Sequence, residues 1–324
     1  MKRPLSQRRT VSAGAGAPND MIHVPGGTFR MGSERFYPEE APVHRVTVDP
    51  FWMDRAPITN RQFREFVRAT GYVTLAERSP DPRDYPGARP DLLQPGSSIF
   101  TPPDHPISTN DWSQWWTFCL GANWRHPYGP GSSLRGLLDH PVVHVAFEDA
   151  EAYARWAGKA LPTEAEWEFA ARGGLADADY AWGDEFMPGG KPMANTWHGT
   201  FPHLNTKADG FDRTSPVGSF PPNGYGLVDM IGNVWEWTVD FYAPRHDADA
   251  QKACCIPRNP CRVLSDESFD PSQPDIRIPR RVVKGGSHLC APNYCRRYRP
   301  AARQAQAVDT STSHVGFRCV LRFQ

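Results

Sequence analysis

Between residues 175 and 240 the chain shows no helical period and reads as loops rich in Gly, Pro, Asn and Asp, with scattered aromatics. A chain with so long a stretch of this kind carries little regular structure. It holds 33 Pro and 27 Gly, a share below that of disordered sequences. It also holds 11 Trp, 10 Tyr and 17 Phe, which suit a globular body whose loops are pinned by aromatic anchors. The 324 residues suffice for a sizeable core. No fixed-period repeat and no domain boundary are visible. The reading is a single α+β domain over residues 21–324, preceded by a disordered, polar tail over residues 1–20.

Local signals place a few elements. Residues 21–32 read as two short strands around Pro25-Gly26-Gly27, and residues 43–48 alternate like a half-buried strand. Thr59 and Gln62 form a capping box that opens a helix with Phe63, Phe66 and Val67 on one face, closed near Gly71. Residues 76–140, punctuated by Trp112, Trp115, Trp116 and Trp124, read as long ordered loops. Residues 141–145 read as a strand, followed by a helix from about Glu148 to Trp156. Thr163 with Glu166 is a second capping box, and its helix buries Trp167 and Ala171 before Gly173-Gly174. Residues 243–280 read as a surface excursion, and residues 281–284 and 316–321 as strands.

Lys plus Arg and Asp plus Glu both number 36, so net charge is zero. Bulk electrostatics therefore give no grip on nucleic acid or an anionic membrane. No apolar run has signal-peptide or membrane-span length. Seven cysteines at uneven spacing do not suggest a secreted disulfide framework. The expectation is a cytoplasmic monomer.

The chemistry concentrates in residues 284–299. Cys290 and Cys295 sit five positions apart, after Gly285-Gly286-Ser287 and before Arg296-Arg297-Tyr298-Arg299. Three readings are open: a disulfide across a short loop, a pair of inert buried thiols, or a metal site. Structural zinc wants four ligands, and the second pair is missing. Cys254 and Cys255 are adjacent, too strained to chelate one ion comfortably; with Cys261 they offer a metal site or, the reading preferred, part of a mobile insert. Two thiolates suit Cu(I), a soft ion that tolerates low coordination, and leave room for a third sulfur. No histidines pair at metal-ligand spacing on a predicted helix, which disfavours non-haem iron.

From Val24 to Val320 the sequence resembles the sulfatase-modifying factor family, the formylglycine-generating enzymes. The resemblance is carried by residues 25–32, 123–127, 156–168, 221–227, 232–237 and 316–319. These runs are generic to a wider superfamily that includes inactive paralogues, and they imply a fold related to C-type lectins. The specific part is Gly285-Gly286-Ser287 through Cys290 and Cys295, with Tyr294 and Arg297-Tyr298-Arg299 beside it; members without the thiol pair are not oxidases of this kind. The resemblance implies a copper-dependent oxidase that uses O2 to convert the cysteine of a Cys-x-Pro-x-Arg segment, in an unfolded sulfatase, to a formyl group. Cys290 and Cys295 would hold Cu(I), and the substrate thiol would enter as a third ligand and lose its proton. Loss of a Cβ hydrogen would then give a thioaldehyde, which hydrolyses. Ser287 would bond in the oxygen or substrate-sulfur pocket, against a plain turn role after two glycines. Tyr294 would line that pocket. Trp235 and Trp237 would wall it or, more in keeping with their type, sit in the core.

The same resemblance implies two structural calcium ions. One would take the side chains of Asn195 and Asp209 and the carbonyls of Thr196 and Phe211. The other would take Asp229, Gly232, Val234 and Glu236. From spacing alone these residues read as Asx turns. Ala154 and Ala170 stand where secreted eukaryotic members carry disulfide cysteines, which leaves Cys319 as a small buried thiol. Two other functions stay in view: a non-catalytic peptide- or glycan-binding module on the same fold, and an iron-dependent sulfoxide synthase, disfavoured without a fused histidine-bearing domain.

Overall fold

The computed structural model describes residues 20–247 and 256–323. The expected tail up to residue 19, and Cys254 and Cys255, lie outside the described residues. Among the described residues thirteen strands, none longer than seven residues, three α-helices and five short 3-10 helices are spread among loops.

Strands β1 (Met21–Val24), β4 (Phe51–Asp54) and β13 (Val320–Arg322) form one antiparallel sheet in the order β1-β4-β13. Strands β2 (Gly27–Met31) and β3 (His44–Val48) form a separate hairpin. The two expected N-terminal strands therefore belong to different sheets, and the Pro-Gly-Gly turn crosses between them. Gly26 is required there: its φ is +69°, and a Cβ would lie 2.7 Å from the carbonyl oxygen of Val48.

Both capping boxes are present. Helix α1 (Asn60–Thr70) starts on Thr59, whose hydroxyl accepts from Gln62 N–H, and ends at left-handed Gly71. Helix α3 (Glu164–Arg172) starts on Thr163 in the same way and ends at left-handed Gly173. Between them α2 (Phe147–Trp156) packs against α1, and Phe63, Phe66, Tyr153 and Phe317 interlock edge-to-face. α3 is buried along its length, so it is a core element rather than a surface helix.

Three readings need correction. Residues 141–145 are not a strand: His144 is left-handed at φ +59°, and the backbone bonds singly to Ile58 and Thr312 instead of to one partner strand. The loops of 76–140 contain a hairpin of β5 (Gly96–Phe100) and β6 (Trp116–Leu120). The stretch read as loop up to 240 holds the short pair β7 (Gly199–Thr200) and β8 (Leu204–Asn205), then the central strand β9 (Trp235–Phe241). β9 is flanked by β10 (Arg280–Lys284) and β12 (Val315–Gly316), with β11 (Arg303–Ala307) outside β10, giving the order β11-β10-β9-β12. Its residues alternate, with Trp235, Trp237, Val239 and Phe241 apolar and Glu236, Thr238 and Asp240 polar, so the sequence carries a strand signal that the loop reading passes over. The expected strand 316–321 splits between β12 and β13.

Candidate functional site

The loop from Gly285 to Arg299 leaves the end of β10 and turns back toward β11. Two restraints fix its base. Lys284, wholly buried, sends Nζ to Glu168 at 3.1 Å and to Glu164 at 3.5 Å on α3. Arg303 closes the same cluster with two 2.8 Å bonds to Glu164. Burial pushes the Glu168 carboxyl up, but Lys284 and Arg172 outweigh it and hold it at about 2. The second restraint is the glycine pair. Gly286 has φ +72°, and a Cβ would sit 2.9 Å from Tyr298 N, so only glycine lets the loop's two arms touch.

Beyond the glycines the chain makes two tight turns. Cys290 N–H donates to Ser287 O at 2.9 Å, and Cys295 N–H to Ala291 O at 3.0 Å. Trp197 N–H donates to Cys290 O. The result brings the two sulfurs to 3.0 Å. Both thiols are free, and this separation is far outside the S–S bond length of about 2.05 Å. The disulfide reading is therefore not the state seen. Cys290 is buried and Cys295 is half-buried, so Cys295 forms the outer lip.

The pair shares protons unevenly. Burial, with the hydrogen bond to Cys295, pushes the Cys290 thiol well up. The Cys290 S–H bond pulls Cys295 down to about 7 against its own burial, assisted by the Arg297 guanidinium. Arg297 is held by Glu39, with Nη2 to Oε1 at 2.5 Å, and lies 3.9 Å over the Tyr37 ring. The sequence reading places Arg297 beside the thiols without giving it a role, and Glu39 and Tyr37 do not figure in it. Arg297 had a signal, two positions after a thiol, but Glu39 and Tyr37 come from a distant loop and had none.

Tyr294 stands at the mouth, 39% exposed. Its ring stacks on Phe201 at 4.4 Å and 8°, and Trp115 meets it edge-on at 5.6 Å. Burial pushes its phenol up to about 12. Ser287 is wholly buried, and its hydroxyl accepts from Leu289 N–H at 3.2 Å, the turn role. Trp235 and Trp237 are core residues in the cluster that also contains Cys290, and Trp237 Nε1 donates to Val145 O. Cys319 is buried, free and pushed well up by burial; it shares a core cluster with Ala154, while Ala170 is buried in another.

The two oxygen clusters differ. Asp209 accepts from Thr196 N–H and Phe211 N–H, both at 3.0 Å, and Asn195 Nδ2 is fixed on Arg213 O. The Thr196 hydroxyl is buried without a partner. Among the described residues no N–H meets the carbonyls of Thr196 or Phe211. Unclaimed oxygens around a buried carboxylate fit a hard cation. In the second set, Asp229 accepts from Gly218 N–H at 2.6 Å and burial pushes it up to about 6. Glu236 there is already committed. It accepts from Arg318 at 2.7 and 2.8 Å and from Trp167 Nε1 at 2.7 Å, so a cation would share it with a guanidinium. Among the described residues no three His, Cys, Asp or Glu group as metal ligands, so each set needs backbone oxygens beside its carboxylates, and the thiols stand as a pair.

Residues 7–323 match the model of the sulfatase-modifying factor enzyme 1-like domain. The chain belongs to the sulfatase-modifying factor family, of the bacterial formylglycine-generating type. Within that family it is 56% identical over 302 residues to the formylglycine-generating enzyme of Mycobacterium tuberculosis, covering 93% of this chain and 97% of that protein. It is 45% identical to the formylglycine-generating enzyme of Streptomyces coelicolor, covering 92% and 88%. It is also 37% identical to bovine inactive C-alpha-formylglycine-generating enzyme 2, covering 97% and 92%. The fold matches PvdO from Pseudomonas aeruginosa, with a TM-score of 0.64 at 22% identity over 99% of this chain and 100% of that one. Among the described residues no helix is long and apolar enough to cross a membrane.

Proposed function

We propose that this chain converts the cysteine of a Cys-x-Pro-x-Arg segment in a sulfatase to Cα-formylglycine, with O2 as oxidant. Family membership alone does not carry this, since one similar relative is named inactive. The carrying observation is the thiol pair: two unbonded sulfurs 3.0 Å apart at the floor of an aromatic-walled mouth.

The donor set suits copper(I). Two soft sulfurs converge without a carboxylate or imidazole to harden the site. When bound by Cys290 and Cys295, copper supplies the redox chemistry that ground-state O2 needs to react with a closed-shell thiol. The chain's own residues do the rest. Arg297 places positive charge beside Cys295 and stabilises its thiolate. Cys290 is only 2% exposed, so an incoming thiol approaches from the Cys295 side, past Tyr294. A thiol that must reach so buried a pair suits an extended segment of an unfolded sulfatase as partner. A reducing compartment such as the cytoplasm keeps both sulfurs as thiols.

The experiment is incubation with copper, a reductant, O2 and a Leu-Cys-x-Pro-x-Arg peptide. Mass spectrometry should show conversion of the cysteine to the aldehyde, and Cys290→Ser should abolish it. A wild-type protein that binds the peptide and leaves it intact favours the non-catalytic binding module. Calcium is proposed at Asn195, Thr196, Asp209 and Phe211, and at Asp229, Gly232, Val234 and Glu236, where it competes with Arg318.

A further inference from the structure

Strand β6 has an open edge that starts at the mouth of the thiol site. In the β5–β6 hairpin Ser98 lies opposite Phe118. Ser98 N–H donates to Ser311 O, and Ser98 O accepts from Ser313 N–H. The backbone of Ser98 therefore points away from β6, and Ser98–Phe118 is a non-hydrogen-bonded pair. It follows that Phe118, and by alternation Trp116 and Leu120, aim their N–H and C=O groups off the hairpin. Among the described residues nothing pairs with them, apart from a long thiol contact from Cys119 to Leu120 O at 3.7 Å. The outer edge of β5 is covered; that of β6 is not.

The same three residues share one face. Trp116 packs on His314 at 4.7 Å and Phe100 at 6.0 Å, while Phe118 and Leu120 are 38% and 48% exposed. An apolar strand edge open to water invites another strand and is normally blunted by charge, proline or a bulge. β6 has none of these in its sequence Trp-Thr-Phe-Cys-Leu. It is also continuous with the site. Trp115, immediately before it, meets Tyr294 and sits in one buried cluster with Leu289 and Ala291, the neighbours of Cys290.

We propose that the edge of β6 is a docking strand for the substrate polypeptide, which adds to the hairpin as an extended third strand through residues flanking the cysteine to be oxidised. This rests on the function proposed above, because that substrate is an unfolded chain whose own N–H and C=O groups are unpaired. Main-chain bonds to Trp116, Phe118 and Leu120 accept any flanking sequence, while the apolar face favours flanks with alternating apolar residues. The role is one of affinity and register; the chemistry stays at the thiols.

The test compares a Leu-Cys-x-Pro-x-Arg peptide with one extended by roughly five residues on each side, the length of β6. Hydrogen exchange on the wild-type protein with the long peptide should protect the amides of Phe118 and Leu120; the short peptide should not. Phe118→Pro removes an outward N–H without touching a bond to β5, a position where proline is tolerated. It should weaken binding of the long peptide about fivefold, the loss of one main-chain bond, and leave the short peptide unchanged. If both peptides are converted equally well and neither protects β6, the docking strand is wrong and the oxidase reading stands. If neither peptide is converted, the reading itself fails and this inference falls with it.

Discussion

Replacing Arg318 by Met should show how the core holds the thiol loop. Arg318 is wholly buried and all its donors are used. Nε and Nη2 bond the two oxygens of Glu236 at 2.7 and 2.8 Å; the remaining N–H groups reach the carbonyls of Asp54, Arg55, Val228 and Asp229 at 3.0–3.3 Å. Methionine fills most of the volume and leaves Glu236 as a buried carboxylate without its cation. Removing one partner of such a pair costs about 3–5 kcal/mol. At about 2 °C per kcal/mol for a large domain, melting should drop by about 6–10 °C. Glu236 also receives Trp167 Nε1, and the Trp167 ring lies 3.0 Å from where a Gly285 Cβ would be, so the disturbance reaches the base of the loop and should lower conversion as well. The double variant with Glu236→Gln removes the stranded charge and keeps an acceptor for Trp167; it should recover at least ~1 kcal/mol of the loss. Urea unfolding followed by Trp fluorescence measures all three proteins. A single variant within 1 kcal/mol of wild type, or a double variant less stable than Arg318→Met, would refute the reasoning.

Three further outcomes are expected. Iodoacetamide at pH 7.5 should label Cys295 well before Cys319, because one is drawn down to about 7 and half-exposed while the other is buried and pushed up; peptide mapping of early time points reads the order, and equal labelling contradicts it. His144 is buried between Ser97 Oγ and Pro127 O, and burial lowers it to about 4. Its folded value is depressed, so the stability it contributes is present above about 6.5 and is lost as pH falls toward 4, at up to ~1.4 kcal/mol per pH unit; His144→Gln should lose less stability than wild type between pH 7 and 5, and parallel curves would count against it. Chelation should lower the melting temperature if calcium fills the Asn195–Asp209 cluster, whereas unchanged melting in chelator leaves those residues as plain Asx turns.

Much of the local structure was written in short stretches of sequence. Thr59 with Gln62 and Thr163 with Glu166 specify two helix starts, and Gly71 and Gly173 specify their ends, because capping is an exchange between residues three or four apart. The thiol pair was equally legible, since five positions and two glycines suffice to turn a chain on itself. What the sequence could not show was decided by partners far away. β9 alternates as a strand does, but only the fold sets it between β10 and β12 and buries its polar residues Glu236, Thr238 and Asp240 as well. Glu39 meets Arg297 across 258 positions, and Arg318 finds Glu236 across 82. The open edge of β6 exists only because the 311–313 segment covers β5 and nothing described covers its neighbour. Capping, turns and thiol spacing are local and survive in the sequence; burial, ion pairing and strand edges depend on which segments the folded chain brings together, and no single stretch records that.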